Sequence, residues 1–309
     1  MATNPAEAIS ASGLIAPSRV GRLRGRLAAL ARFCRRKPLG AFGAVVILCL
    51  LLMAGFAEWI APYAYDQQIP NARLKPPGIH FLLGTDNVSR DIFSRIVYGA
   101  RVTVTVSFVT VFLGNLLAAA IGITSGYFRG RYDMAVQRIV DAWQSFPFLI
   151  IILSLLAVLG QGMLNVILSL SILVAAGASR VIRGATLSVV ENQYVEAARA
   201  IGAGHLRIMV RHILPNVMAT IVVLATIGLG GIILVESALS FLGYGVPPPH
   251  PSWGSMLSSS GRTYMYIAPW MAIWPGVAIS LVVFAFNMLG DALRDVFDPR
   301  LRGAGGGVR

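Results

Sequence analysis

The residues of this sequence that could carry out catalysis are few, and their spacing does not fit a catalytic or metal site. The four histidines lie in separate segments without the H-E-x-x-H spacing of a zinc site: His80, His205, His212 and His250. The serines at 258–260 have no histidine or acid nearby that would complete a nucleophilic triad. A G-x-x-x-x-G-K-[ST] phosphate loop is missing from the sequence, so we expect this chain not to be an enzyme and not to hydrolyse ATP by itself.

The hydrophilic segment 186–216 indicates docking to a partner instead of catalysis. Its sequence is TLSVVENQYVEAARAIGAGHLRIMVRHILPN. The Ala-rich stretch VEAARAIGA predicts a short helix, Gly202 to Gly204 a turn, and Pro215 the first turn of the next helix. Small alanines would let this helix enter a cleft, while Glu196 offers a charge to a basic partner or a helix N-terminus. An interfacial helix that merely covers a membrane bundle is the alternative.

The elements that must position this segment are membrane-spanning helices. The sequence of 309 residues is 56% hydrophobic and 13% charged, which is too apolar for an ordinary soluble domain. About 20 apolar residues cross a bilayer as a helix. Six such runs predict an all-α integral membrane protein with six transmembrane helices: Leu39–Ile60, Val102–Ser125, Met134–Leu159, Leu164–Val181, Val217–Leu239 and Ile267–Leu289.

The distribution of positive charges predicts how these helices are oriented in the membrane. All but six of the 26 Lys and Arg residues fall on one side of the predicted membrane. The positive-inside rule places that side in the cytoplasm, so we expect both termini to be cytoplasmic. The formal charge of +13 therefore reflects topology and interaction with membrane lipid, and does not indicate binding of nucleic acid. A cleaved signal peptide is disfavoured, because the first apolar run is long enough to span the membrane.

The chain accordingly divides into five predicted parts. A cytoplasmic basic tail (1–37) precedes a first transmembrane anchor helix (38–62) and an external loop (63–101). A five-helix core (102–295) then includes the cytoplasmic segment 186–216 and an external loop at 243–268. A cytoplasmic tail (296–309) ends the chain.

Polar residues inside the predicted spans are candidates for lining a passage: Asn115, Ser169, Glu236 and Asn287. Each of them could equally form hydrogen bonds between helices. Glu236 lies near the outer end of its span, where we favour a hydrogen bond to a neighbouring helix. For Asp141, near the inner end of the third span, we favour an ion pair with Arg138 three residues earlier.

Several motifs resemble those of one membrane-protein family. Glu196-Ala197-Ala198, Gly202 and Ile213-Leu214-Pro215 resemble the EAA signature of ABC importer permease subunits. Further stretches are similar to the C-type permease of the dipeptide, oligopeptide and nickel branch: Gly84-Thr85-Asp86 with Arg90-Asp91, where Ser89 replaces the usual Gly; Asp141 with Phe146-Pro147; Ser240 to Gly245 with Trp253-Gly254; and Gly290-Asp291 with Asp298-Pro299-Arg300.

This resemblance implies the type I ABC importer permease fold in the bacterial inner membrane. The implied partners are a second homologous permease, two ATPase subunits that hydrolyse ATP with Mg, and an external substrate-binding protein. The residues implied to couple to the ATPases are Glu196, Ala197, Ala198, Ala200, Ile201 and Gly202. We expect the chain itself to bind no cofactor.

The outer loops are the natural docking surface for the binding protein. We expect Asp86, Arg90, Asp91 and Trp253 to shape that contact or to brace the loops. The implied substrate is a dipeptide or oligopeptide, with a nickel chelate as the alternative. A secondary transporter driven by an ion gradient is the competing class, although the sequence shows no clear internal repeat.

Overall fold

The computed structural model describes residues 34–35, 37–258 and 262–297, and these form helices, with one long connection at 61–91. The predicted tails 1–37 and 296–309 lie almost entirely outside the described residues, as do Ser259, Ser260 and the Asp298-Pro299-Arg300 motif. The helices are α1 (Pro38–Gly55), α2 (Ala57–Ile60), α3 (Ile92–Phe128), α4 (Gly130–Gln144), α5 (Phe148–Leu159), α6 (Met163–Val190), α7 (Gln193–Ala200), α8 (His205–Ile208), α9 (Leu214–Phe241), α10 (Trp253–Leu257) and α11 (Trp270–Phe297).

Local sequence explains where several of these helices begin. Pro38 opens α1, a position where its missing N–H costs nothing. The Asp91 carboxylate accepts from the Ser94 N–H at 2.8 Å and caps α3. Ser252 and Ser255 form a reciprocal capping box at the start of α10.

The predicted third span is not one straight helix. Among the described residues, five single helices are long and apolar enough to cross a membrane, and a sixth crossing requires α4 and α5 together, which are bent by 87°. The bend lies at Ser145-Phe146-Pro147. Proline cannot donate a helical hydrogen bond and moves the preceding residue out of the helical region, so α4 ends and α5 starts afresh.

Helix α3 begins ten residues earlier than the predicted second span, at Ile92 instead of Val102. The predicted external loop 63–101 therefore ends in three turns of helix. On the other side, segment 186–216 contains the predicted short helix as α7, followed by α8 and a five-residue π turn (Met209–Ile213). Pro215 is the second residue of α9, and the helical path runs unbroken from His205 to Phe241.

The most extensive contact between two helices joins α3 to α6, and small residues bring these helices close together. A Cβ added at Gly122 would lie 2.7 Å from the Ser179 carbonyl oxygen, and one at Gly126 would lie 2.8 Å from Thr186. Gly114 meets Val174 in the same way, because small residues permit close approach of helices in membranes. A Cβ added at Gly231 of α9 would have no neighbour within 4 Å among the described residues, so that glycine makes no such contact.

The first helix is part of the packed body and is more than an anchor. Residues Ile47, Leu50 and Ala54 of α1 belong to the larger apolar core. Lys37 donates to the Asp295 carboxylate of α11 at 2.5 Å. A second apolar core includes Ile123, Ile182 and Ile213 and lies at the end of the bundle that carries segment 186–216, which we call the inner end because the sequence predicts it to be cytoplasmic.

We expect Gly43→Ala to lower the thermal stability of the protein in detergent. A Cβ at this position would lie 2.4 Å from the Ala285 carbonyl oxygen of α11, and overpacking of this kind costs about 1–3 kcal/mol. Gly55→Ala is the matched control on the same helix, because no described atom lies within 4 Å of its added Cβ. Equal unfolding temperatures for the two variants would contradict the packing of α1 on α11.

Candidate functional site

The strongest candidate site is the hairpin formed by α7 and α8 at the inner end of the bundle. Helix α7 presents two sides. Val195 and Ala198 are buried in the inner apolar core, while Glu196, Ala197 and Ala200 are exposed. Ile201, which follows the helix, is 85% exposed. Ala198 therefore holds α7 to its own chain, and the remaining predicted coupling residues form an accessible surface.

Gly202 ends α7 with a specific backbone geometry. Its φ of +79° lies in the left-handed region that favours glycine. The Gly202 N–H donates to the Arg199 carbonyl at 2.9 Å, and the Ala203 N–H donates to the Ala198 carbonyl at 3.0 Å. This pair of bonds is a Schellman motif, which stops the helix and reverses the chain toward α8.

The hairpin is tied to the inner end of α3 by aromatic side chains, chiefly Tyr127, while the Phe128 ring lies 5.6 Å from the His205 ring. The Tyr127 hydroxyl hydrogen-bonds the His205 Nδ1 atom at 2.9 Å, at the start of α8. The Arg199 guanidinium of α7 lies over the Tyr127 ring at 5.0 Å from its centre. Both arms of the hairpin therefore contact α3, and a displacement of the hairpin would be transmitted to it.

Sequence reasoning missed two exposed apolar residues beside the predicted coupling residues. Tyr194 and Val210, together with Leu206, extend the exposed surface on either side of Ile201. The presence of apolar residues in an otherwise hydrophilic segment could have indicated this exposed surface from the sequence. Tyr127 was also missed, since it lies 72 and 78 positions from Arg199 and His205, the hairpin residues it contacts.

Ion pairs attach α4 to the inner end of α6. The Arg183 Nε donates to the Asp133 carboxylate at 2.5 Å, and Ser125 of α3 hydrogen-bonds the same carboxylate. Asp141 pairs with Arg180 of α6, whereas the predicted partner Arg138 is 4.0 Å away. The prediction for Asp141 thus named the weaker of its two contacts.

Arg129, at the junction of α3 and α4, forms a further ion pair at this end of the bundle. Its φ of +54° with ψ of −164° is a region that residues with side chains rarely occupy. The Arg129 guanidinium holds that conformation by donating to Glu191 at 3.2 Å and to the Leu187 carbonyl at 3.3 Å. The segment leading into α7 is thereby fixed to the α3–α4 junction.

The four external residues predicted to dock a partner or brace the loops make internal contacts. The Asp86 carboxylate accepts from the Arg90 Nε at 2.7 Å and from the Arg90 N–H at 2.8 Å. Asp91 caps α3, as described above. Trp253 is buried and donates from its Nε1 to the Ile96 carbonyl at 3.0 Å. These contacts fit the bracing role, while docking by these residues stays a prediction.

The four predicted passage residues lie mostly inside the subunit. Asn115 and Asn287 each donate to a carbonyl of their own helix, Val111 and Val283, at 2.9 Å. Glu236 is 1% exposed and accepts from Ser240 of the same helix at 2.7 Å, so its described partner is not on a neighbouring helix. Ser169 is also buried. Their role in a passage stays a prediction.

Comparison with known proteins decides the family. Residues 91–303 match the family described as the binding-protein-dependent transport system inner membrane component. The chain belongs to this family. Residues 28–77 also match the N-terminal transmembrane domain of oligopeptide transport permease C. The permease is thus a multi-pass inner membrane protein and an ABC importer subunit.

Curated relatives cover most of the permease. A putative peptide transport system permease protein from Brucella suis biovar 1 (strain 1330) is 40% identical over 271 residues, which are 88% of this chain and 90% of that protein. The glutathione transport system permease protein GsiD of Escherichia coli O157:H7 is 38% identical over 270 residues, covering 87% and 89%.

A solved structure confirms the predicted type I permease fold. The MetNI methionine ABC transporter, in an inward-facing conformation, has a chain that matches with a TM-score of 0.55 and 23% identity. The match covers 67% of this permease and 98% of that chain.

We expect Gly202→Ala to loosen the end of α7. An L-residue in the left-handed region costs about 1–2 kcal/mol, and no described atom lies within 4 Å of the added Cβ, so backbone strain is the dominant cause. Hydrogen exchange of the α7 amides would show faster opening. Gly204→Ala is the control, since Gly204 has equal space but a φ of −64°. The same acceleration in both variants would exclude this explanation.

Ser89→Gly should raise the unfolding temperature of the permease. Ser89 has a φ of +65°, so glycine would relieve about 1–2 kcal/mol of strain, partly offset by about 0.5–1 kcal/mol of added chain entropy in the unfolded state. The control Ser145→Gly, at a φ of −72°, should lower that temperature. A lower value for Ser89→Gly would show that its side chain matters more than its backbone.

Proposed function

We propose that this permease translocates dipeptides, oligopeptides or glutathione-type solutes in an importer driven by ATP hydrolysis on partner subunits. The observation that carries the coupling part of the proposal is the exposed surface of the α7–α8 hairpin. It combines small side chains, the exposed Ile201 and a firm connection to α3. The substrate part rests on the peptide and glutathione permeases that this chain resembles.

The proposed assembly contains a second homologous permease, two ATPase subunits and an external substrate-binding protein. The family's own description names a binding protein, which supports that partner. ATP and Mg would bind to the ATPase subunits. The external binding protein would select the solute. Importers of dipeptides, longer peptides or nickel chelates would therefore differ more in their binding protein than in this chain. Family membership favours this assembly over an ion-gradient-driven carrier.

The proposed mechanism uses the hairpin as a lever. When the ATPase subunits approach each other, they would carry the surface around Ile201 and Ala197 with them. Because Arg199 and His205 both contact Tyr127, the motion would pass directly into α3. The close packing of α3 on α6 would then move both helices as one body, which reorients a passage by rigid-body rotation.

The proposed orientation places the hairpin and both termini in the cytoplasm. Arg180, Arg183 and Arg199 lie at the same end of the bundle as the hairpin, together with Arg207 and Arg211. Such an excess of arginine near the ends of helices is typical of the cytoplasmic side. This arrangement brings the hairpin to the compartment that contains ATP.

We expect Ile201→Glu to lower the recovery of ATPase subunits with the affinity-purified permease by at least about tenfold. A new carboxylate at an apolar contact would need to be desolvated, and a tenfold loss corresponds to about 1.4 kcal/mol. Uptake of a labelled dipeptide into proteoliposomes containing the assembled importer should fall in parallel. The matched control is Ile79→Glu, because Ile79 is 97% exposed and lies on the opposite side of the bundle.

Comparison of the two variants distinguishes loss of the ATPase contact from misfolding or failed assembly. Retention of the ATPase subunits by Ile201→Glu at the wild-type level would refute the hairpin as their contact surface. If Ile79→Glu lost the ATPase subunits to the same extent, the effect would be one of assembly or folding. Dipeptide uptake by the permease alone, abolished by an ionophore, would overturn the ATP-driven proposal.

A further inference from the structure

A small cavity at the outer end of the bundle combines two guanidinium groups with a single carboxylate. It measures about 40 Å³ and lies between the start of α3, the short helix α10 and the beginning of α11. Arg90, Arg95 and Asp86 supply its charged side chains. Ile92, Met256 and Met271 supply apolar walls. The charged side chains that line the cavity therefore carry one excess positive charge.

Asp86 is largely occupied by its own loop. Its Oδ1 accepts from the Val88 N–H at 2.9 Å and from the Arg90 N–H at 2.8 Å, and its Oδ2 accepts from the Arg90 Nε at 2.7 Å. The Arg95 Nε lies 3.9 Å from that Oδ2, beyond hydrogen-bonding distance. Asp86 thus neutralises Arg90 more fully than Arg95.

Arg95 is buried with few partners for its donors. Its side chain is 9% exposed. The guanidinium can donate five hydrogen bonds, and among the described residues it donates one, from Nη1 to the Tyr65 carbonyl at 3.0 Å. A buried charge that lacks a bonded partner is costly, so this geometry favours an added anion.

Two further acidic residues near the cavity do not neutralise its excess positive charge. The Asp91 carboxylate accepts from the Ser94 N–H at 2.8 Å and from the Ser94 hydroxyl at 2.7 Å, and Asp91 is not a lining residue. Asp66 is exposed on the loop beyond Tyr65, where water screens its charge.

We propose that this cavity binds a carboxylate group, with Arg95 as the principal donor and Arg90 as a second positive charge. The planar guanidinium matches the two oxygens of a carboxylate with two parallel hydrogen bonds. The cavity of about 40 Å³ has room for a small group, and its two guanidinium groups favour an anion. A bound carboxylate would join α3 to α10 and α11.

The carboxylate could come from two sources on the external side. One is the C-terminal carboxylate of a transported peptide, and the other is an Asp or Glu side chain of the docked binding protein. The choice between these sources rests on the proposed function. The site itself does not, because its test needs neither ATP nor transport.

The first test is thermal unfolding of the purified full-length permease in detergent, with sodium acetate compared with sodium chloride at equal ionic strength. We expect acetate to raise the unfolding temperature of the wild type by about 2 °C. Arg95→Lys keeps the charge but loses the planar fork, so at least half of that shift should disappear. Arg101→Gln, on the same helix, should retain it, because Arg101 contacts Ala54 and Glu58 instead.

Two results would overturn the site. Equal effects of acetate and chloride on the wild type would mean that the cavity holds water only. A full acetate shift in Arg95→Lys would place the effect elsewhere in the protein. Arg95→Gln gives a second check if Arg95→Lys unfolds early, since its acetate shift should be lost completely relative to its own chloride baseline.

A second pair of ligands distinguishes the sources of the carboxylate. Stabilisation by the dipeptide Ala-Ala, lost with its C-terminal amide, would identify the solute. Stabilisation by acetate without any effect of Ala-Ala would identify an acidic side chain of the binding protein. In that case, Arg95→Lys should weaken docking of the purified binding protein while Arg101→Gln should not. Failure of ATPase recovery in the earlier experiment would leave these outcomes unaffected.

Discussion

The close packing of α3 on α6 is the constraint on which the rest of the permease depends. In lipid there is little hydrophobic drive between helices, so contact between small residues must hold them together. The backbone of α6 passes so near Gly122 and Gly126 that no side chain fits between the helices. The inner ends of both helices carry the groups that fix the hairpin, namely Tyr127 on α3 and Arg183 on α6. A change in this contact would therefore alter the site as well as the core.

Much of the fold was predictable from hydropathy, because a helix that crosses a bilayer must be long and apolar. The bend between α4 and α5 was not, although Pro147 was visible in the sequence. A continuous apolar run dominated the interpretation, and the local effect of proline was given too little weight. Helix α3 was predicted ten residues too short, since Arg95 and Arg101 interrupt hydropathy while the helix continues outside the hydrocarbon.

The candidate site was likewise predictable only in part. The short helix and the turn at Gly202 followed from local sequence, because alanine favours helix and glycine favours a left-handed residue. The inward orientation of Ala198 and the contacts of Tyr127 depend on tertiary packing between segments far apart in sequence. For the same reason the sequence predicted only the local partner of Asp141, since Arg138 lies three positions away and the closer partner Arg180 lies 39 positions away.

The shortness of α5 has a consequence for the lipid beside it. Its 12 residues rise about 18 Å at 1.5 Å per residue, against about 30 Å for the hydrocarbon core of a bilayer. A helix shorter than the hydrocarbon core leaves backbone groups at its ends facing lipid unless the bilayer thins or neighbouring protein covers them. Hydrophobic mismatch at α5 is therefore a cost that local thinning of the bilayer or a neighbouring subunit would have to relieve.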